Sequence, residues 1–243
     1  MTSGARRAPF RLAALLLFFV ATPASAEPFA DTVAQRLLAC TGCHGPEGRA
    51  AADGYYPRIA GKPAGYLLNQ LVNFRDGRRA YALMSNLLAP LDDAYLREIA
   101  AHFAGLDLPY PPPSPLTISP TDLAASARLV AEGDPARSLP ACTSCHGQAM
   151  TGTAPFVPGL VGLPRDYLNA QLGAWRNGKR VAQEPDCMAA IAKKLAPEEI
   201  GRISAWLAGQ PVPVGAKPAT GFAAPMPAAC GGVPATGLVG TPR

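Results

Sequence analysis

The chain has 243 residues, which is enough for two compact domains, and it carries 22 basic and 17 acidic side chains. Three of the basic residues lie within the first 26 positions, so the rest of the chain has 19 basic against 17 acidic side chains, a net charge of +2. A protein that binds nucleic acid needs a basic footprint, and this balance excludes nucleic acid as an expected partner.

The first 26 residues have the pattern of a secretory signal peptide. Three arginines precede an apolar run over residues 12–21, and Ala24-Ser25-Ala26 fits a cleavage site. We expect cleavage before Glu27 and export to the periplasm. The apolar run is shorter than the roughly 20 residues of a transmembrane helix. The mature chain is therefore expected to lack a transmembrane anchor, and a peripheral contact with the membrane stays open.

A duplication organises the rest of the chain. The sequence Cys40-Thr41-Gly42-Cys43-His44 recurs as Cys142-Thr143-Ser144-Cys145-His146. Residues 57–79 then match residues 158–180, and three extra residues in the second copy precede the match of Met84 with Met188. Such internal similarity indicates two copies of one domain. We place the first at residues 27–107 and the second at residues 121–210.

The apolar spacing predicts an all-α fold with three helices in each copy. The first helix, over about residues 31–39 or 122–132, leads into the repeated cysteine pair. The second begins at Pro63 or Pro164, where proline suits a helix start, and the third begins at acidic residues that suit the positive helix end. The proline-rich residues 108–120 are predicted to link the copies, and residues 211–243 to form an extended tail.

The repeated pentapeptide is typical of covalent haem c attachment in an exported protein. Each thiol can bond one vinyl-derived carbon of the porphyrin, and the adjacent imidazole is then directed at the iron. We therefore expect two haem c groups, attached and ligated by Cys40, Cys43 and His44 and by Cys142, Cys145 and His146. A zinc site shared by the four cysteines is less favoured, because structural zinc ligands are usually local in sequence.

Met84 and Met188 are the predicted distal ligands of the two irons. A thioether is the usual sixth ligand of an electron-transfer cytochrome c, and each methionine follows its histidine by a similar distance. Met150 is only four residues from His146, which is too close to reach the opposite face of the same haem, and Met226 has no counterpart in the first copy. His102, which Trp206 matches in the second copy, is expected to be a packing residue. These three side chains are not assigned to iron.

Further side chains are candidates for contacts around the haems. The carbonyl of Pro57 or Pro158 could accept the Nδ1 proton of the proximal histidine, with a plain turn as the alternative. Candidates for propionate contacts, with exposed helix positions as the alternative, are Tyr66, Arg75, Arg79, Tyr167, Arg176 and Arg180.

Two cysteines, Cys187 and Cys230, remain after haem attachment. In an oxidising compartment we predict that they form a disulfide, which pins the tail beside the second methionine. The alternative is that Cys187 is a thiolate ligand of the second iron, an arrangement that suits sulfur chemistry.

Over residues 30–209 these motifs resemble the dihaem cytochrome c4 family. The resemblance rests on the order Cys-x-x-Cys-His, Pro-x-Ile/Leu-x-Gly-x-Pro, Tyr-Leu-x-x-Gln-Leu and Met, which occurs twice. It implies two tandem class I cytochrome c folds about a pseudo-twofold axis, with His/Met ligation in each. The chain departs from the family in the three-residue insertion around Cys187 and in the tail.

The resemblance implies an electron-transfer protein rather than an enzyme. Its expected partners are redox proteins of the respiratory chain: a quinol-oxidising complex, a dehydrogenase or a terminal oxidase. Two alternatives stay open. One is a dihaem enzyme that oxidises thiosulfate or reduces peroxide, and the other is a fixed cytochrome subunit of a membrane dehydrogenase.

Overall fold

A computed structural model describes residues 31–51 and 54–234. The predicted signal peptide and the last nine residues of the predicted tail lie outside the described residues. Within those ranges the chain forms ten α-helices and one short hairpin, which confirms the predicted all-α class. None of the described helices has both the length and the apolar character needed to cross a bilayer.

The first copy is built around two long helices packed against each other. Its helices are α1 (Val33–Arg36), α2 (Leu38–His44), α3 (Ala64–Arg75), α4 (Ala82–Leu88) and α5 (Asp93–Gly105). The carboxylate of Asp92 caps α5 by accepting from the amide of Tyr95 at 2.8 Å. The apolar face of α5 buries Leu96, Ile99 and Phe103 against α3. The predicted first helix is divided at Leu37, which lies between α1 and α2.

The second copy repeats this arrangement. Its helices are α6 (Pro120–Glu132), α7 (Thr143–His146), α8 (Arg165–Arg176), α9 (Cys187–Lys194) and α10 (Pro197–Ala208). The helices α8 and α10 pack together as α3 and α5 do. An antiparallel hairpin of β1 (Gly152–Thr153) and β2 (Val157–Pro158) follows α7. Two-residue strands are too short to give an alternating pattern, so the sequence did not predict them.

Beyond the three predicted helices, the second copy has the four-residue α7, and each copy has one further short helix ahead of its last helix. These helices, α4 and α9, have seven and eight residues and carry Met84 and Met188. A segment of two turns shows little apolar periodicity, which is why the sequence placed both methionines in a segment ahead of the last helix. Each methionine is thus held on a helix that packs against the long helix before it.

The linker and the tail both lie along the two copies. The buried guanidinium of Arg58 donates to the carbonyls of Leu108 at 2.6 Å and Pro109 at 2.9 Å. The amide of Ser114 donates to the carbonyl of Ala208 at 2.8 Å. In the tail, Ala219 exchanges backbone hydrogen bonds with the hairpin region of the second copy. Apart from Pro120, which begins α6, neither segment forms a helix in its described part, in agreement with its high proline content.

Candidate haem sites

The first predicted site begins at the carboxyl end of α2. This helix carries Cys40, Cys43 and His44, and the imidazole of His44 is buried. Its Nδ1 lies 2.8 Å from the carbonyl oxygen of Pro57. Burial lowers the pKa of His44, and the hydrogen bond to Pro57 opposes that shift. A neutral imidazole that donates from Nδ1 keeps its lone pair on Nε2, which is the form that binds a metal.

The second predicted site has the same local structure. His146 ends α7, its ring is buried, and its Nδ1 lies 2.7 Å from the carbonyl oxygen of Pro158. Burial lowers the pKa of His146 and raises the pKa of Cys142 to about 11. Both proximal imidazoles are therefore oriented by a prolyl carbonyl at matching positions of the two copies.

Met84 and Met188 line the same large cavity as the cysteines and histidines. The cavity has a volume of about 1180 Å³ and is lined mostly by apolar side chains, with the following predicted ligands and attachment residues among them: Cys40, Cys43, His44, Met84, Cys142, Cys145, His146 and Met188. Small-molecule pockets usually have about 300–1,000 Å³. A cavity above this range with two equivalent donor sets suits two large apolar ligands better than one.

Two buried arginines that line this cavity join the two copies. Arg79 donates to Gln171 at 2.6 Å and to the hydroxyl of Tyr167 at 3.0 Å, while Arg180 donates to Gln70 and Gln171, both at 2.7 Å. Arg79 also donates to Gln70 at 3.1 Å. Each glutamine thus accepts from both arginines, a reciprocal pattern that follows the duplication.

The charge of this network supports an anionic ligand. Arg79 and Arg180 are 9 % and 4 % exposed, and neither forms an ion pair with a carboxylate of the described residues. A buried charge is costly unless it is paired. The indole Nε1 of Trp175, which also lines the cavity, is a buried donor without a partner in the described part of the chain. Haem propionates would satisfy these donors, so the residues present fit the predicted cofactor.

Two of the residues considered for propionate contacts lie elsewhere. Arg75 donates to Asp93 at 2.7 Å and to the carbonyl of Leu91, and Arg176 donates to the carbonyl of Leu195 at 2.8 Å. Neither lines the cavity. These two arginines hold the long helices to the segments that follow the methionine helices, which favours the alternative of a helix surface position over a propionate contact.

The tail is bonded to the second methionine helix. The Sγ atoms of Cys187 and Cys230 form a disulfide, with 5.0 Å between the Cα atoms. A sulfur in a disulfide is not a thiolate, which removes Cys187 as an iron ligand in this structure. The amide of Gly231 donates to the carbonyl of Pro185 at 2.9 Å, and Asn69 on α3 donates to the carbonyl of Gly232 at 2.8 Å. The tail therefore contacts both copies.

Sequence reasoning missed several residues of the site. The sequence predicted no role for Gln70 and Gln171 beyond their matching positions in the repeat, and none for Trp175. Identity of a polar residue in both copies was the available signal for the glutamines. No feature of the sequence indicated that Lys62 is buried between the copies, where it donates to the carbonyl of Gly159 at 2.8 Å.

Comparisons with known proteins agree with this architecture. No protein-family model matches the chain. Cytochrome c4 of Pseudomonas aeruginosa is 34 % identical over 177 residues, which cover 72 % of this chain and 85 % of the relative. A protein named thiosulfate dehydrogenase electron acceptor, from Thiomonas intermedia, is 36 % identical over 175 residues, covering 71 % and 79 % of the two chains.

Solved structures give the same result. Reduced recombinant cytochrome c4 from Pseudomonas stutzeri has a TM-score of 0.62 and 28 % identity, and the match covers 72 % of this chain and 95 % of that one. A thiosulfate dehydrogenase from Marichromatium purpuratum has a TM-score of 0.63 and 33 % identity over 71 % of this chain. This chain spans only 36 % of that larger one.

The fold and the duplicated site define a c-type cytochrome with two haem c groups, a protein of electron transfer. The similarity extends over most of each cytochrome c4 relative and includes both copies of the domain. The chain belongs to the dihaem cytochrome c4 family.

Proposed function

We propose that this protein is a periplasmic carrier that passes single electrons between respiratory-chain proteins, with His44 and Met84 ligating one iron and His146 and Met188 the other. The observation that carries the proposal is the common lining of one apolar cavity by both sets of attachment and ligand residues. Both sets occur at matching positions of the duplication.

The chain's residues have distinct parts in this proposal. When bound, each haem supplies a one-electron iron couple. The cysteine pairs hold the group covalently, and the carbonyls of Pro57 and Pro158 fix the imidazoles. A thioether as the second axial ligand raises the reduction potential relative to a second imidazole. The arginine and indole donors bind the anionic edge, and the apolar lining keeps water from the iron.

Ligation from both faces favours a carrier over an enzyme. A haem enzyme that binds substrate at iron needs an open or exchangeable coordination site, and the proposed histidine and methionine would leave no such site in either copy. The disulfide supports the same choice, because it engages the thiol that a sulfur-oxidising site would use.

The partner class comes from the comparisons. The relatives named as electron acceptors of thiosulfate dehydrogenase are 36 % and 35 % identical to this chain. We infer that the electron donor is a dehydrogenase that oxidises thiosulfate, and that the electrons continue toward a terminal oxidase. No transmembrane helix occurs in the described residues, and the amino-terminal signal pattern supports the periplasm as the place of this exchange.

The first experiment counts the haems and identifies their ligands. Mass spectrometry of the mature, exported protein is expected to show two covalently bound haems, and the ferric protein is expected to show the weak near-infrared sulfur-to-iron band. Met84→His and Met188→His should each lower one of two reduction potentials and remove part of that band. Met226→Leu is the matched control, because Met226 lines the cavity without a predicted ligand role.

Several results would contradict this assignment. A colourless protein or a single haem would end it, and so would a loss of the band in Met226→Leu rather than in Met188→His.

A second experiment separates carrier from enzyme. The purified ferric protein is mixed with thiosulfate alone, and then with thiosulfate and a thiosulfate dehydrogenase. A carrier is reduced rapidly only in the second mixture. Rapid reduction of the ferric haems by thiosulfate alone, with two thiosulfate ions joined to one tetrathionate for every two electrons accepted, would instead establish the enzyme alternative.

A further inference from the structure

Lys62 is a buried ammonium group at the interface of the two copies. Its side chain is 4 % exposed, and Nζ donates to the carbonyl oxygen of Gly159 at 2.8 Å. Among the described residues it forms no ion pair with a carboxylate. Burial, with a smaller effect of the nearby Arg58, lowers the pKa of Lys62 to about 7. A buried charge without a protein counter-ion is costly, which suggests a role beyond packing.

The position of Lys62 connects it to the second haem site. Its acceptor, Gly159, directly follows Pro158, whose carbonyl lies 2.7 Å from Nδ1 of His146. The ammonium therefore binds the peptide next to the one that orients the second proximal imidazole.

The first haem site has no equivalent of this lysine. Leu163 occupies the matching position in the second copy. Pro57 is followed by Arg58, whose guanidinium donates to the linker carbonyls of Leu108 and Pro109 and stacks on Tyr110, with Cζ 4.2 Å from the ring centre. Each proximal side thus has a buried cation, but Arg58 at the first site is bonded to its own copy and to the linker, whereas Lys62 reaches the second site from the other copy.

We propose that Lys62 is a positioning residue that raises the reduction potential of the second haem above the value set by its ligands alone. Two effects of the ammonium both raise this reduction potential. A positive charge disfavours the ferric state, which carries one more positive charge than the ferrous state. An ammonium on the neighbouring carbonyl also weakens the acceptor of the His146 proton, and a less electron-rich imidazole stabilises ferric iron less. This inference rests on the proposed function.

The test compares reduction potentials in the complete dihaem protein at about pH 6, where a lysine with a pKa of about 7 is mostly charged. Lys62→Met removes the charge with little change of volume, and Lys62→Gln retains a hydrogen-bond donor without the charge. We expect both variants to lower the potential of the second haem and to leave the first nearly unchanged. The equilibrium between the two haems should shift roughly tenfold, which is about 59 mV for one electron.

Two controls make the assignment specific. Lys193→Met removes one charge from an exposed position on α9 and should leave both potentials unchanged, because solvent screens it. The same measurements in a Met84→His background show which reduction potential belongs to which haem, since that substitution lowers the potential of the first haem alone.

The outcomes distinguish this inference from the proposed function. Suppose that both variants bind two haems, show the sulfur-to-iron band and have an unchanged reduction potential at the second haem. The role of Lys62 is then refuted, and the proposed electron-carrier function is not affected. An equal shift of both potentials would also refute it, because a general loosening of the interface would explain that result. A protein with one haem, or without the band, would contradict the proposed function itself.

Discussion

The disulfide between Cys187 and Cys230 should be a large contributor to the stability of the second copy. The two cysteines are 43 residues apart in sequence. In the chain-entropy treatment of cross-links, closing a loop of this length removes unfolded-state entropy worth about 4 kcal/mol at 25 °C. Loss of the bond also frees the segment that holds the contacts of Gly231 with Pro185 and of Asn69 with Gly232.

The double variant Cys187→Ser/Cys230→Ser tests this magnitude. We expect its free energy of unfolding to be lower than that of the wild type by about 3–4 kcal/mol, since native-state strain usually reduces the entropic value. The assay is urea unfolding of the ferrous holoprotein, followed by haem absorbance. The control is wild-type protein with the disulfide reduced. It should unfold at the same urea concentration as the variant, because both samples lack the cross-link and both contain ferrous iron.

One result would refute the reasoning. The result would be a decrease of less than about 1 kcal/mol in the free energy of unfolding, with an unchanged slope against urea concentration. It would mean that the other contacts hold the tail and that the disulfide constrains the unfolded chain little.

Two further predictions concern packing and charge. Gly65→Ala should destabilise the protein by about 1–3 kcal/mol, because the added Cβ meets the ring of Phe156 across the interface. Gly173→Ala lies on an open helix face and should instead stabilise the protein by about 0.5–1 kcal/mol. If thermal unfolding shows the same change in stability for both variants, the contact between Gly65 and Phe156 is contradicted. Glu199→Gln should cost about 1 kcal/mol at neutral pH, since it breaks a two-point ion pair with Arg137. Arg137 holds the pKa of Glu199 below its ordinary value of 4.5, so this contribution is complete above that pH and is lost as the pH falls through the folded-state pKa. A stability difference that persists in strong acid would contradict the pairing.

Local patterns determined much of this protein from the sequence alone. The pentapeptide that ends in His44 and its repeat indicated covalent haem, because attachment and proximal ligation need only five consecutive residues. Helix periodicity and capping residues placed the long helices within a few residues of their observed bounds. The sequence did not predict the short helices α4, α7 and α9 or the two-residue strands of the hairpin, because segments this short show no detectable apolar period.

The tertiary structure alone decided how the two copies act together. The hydrogen bonds of Arg79 and Arg180 to glutamines of the other copy join residues about a hundred positions apart, and they depend on how the domains dock. The burial of Lys62 against Gly159 has the same origin. Spacing along the chain specifies which face of a helix is apolar. It does not specify which distant residue contacts that face. The difference between the two haem environments arises from these contacts between the copies.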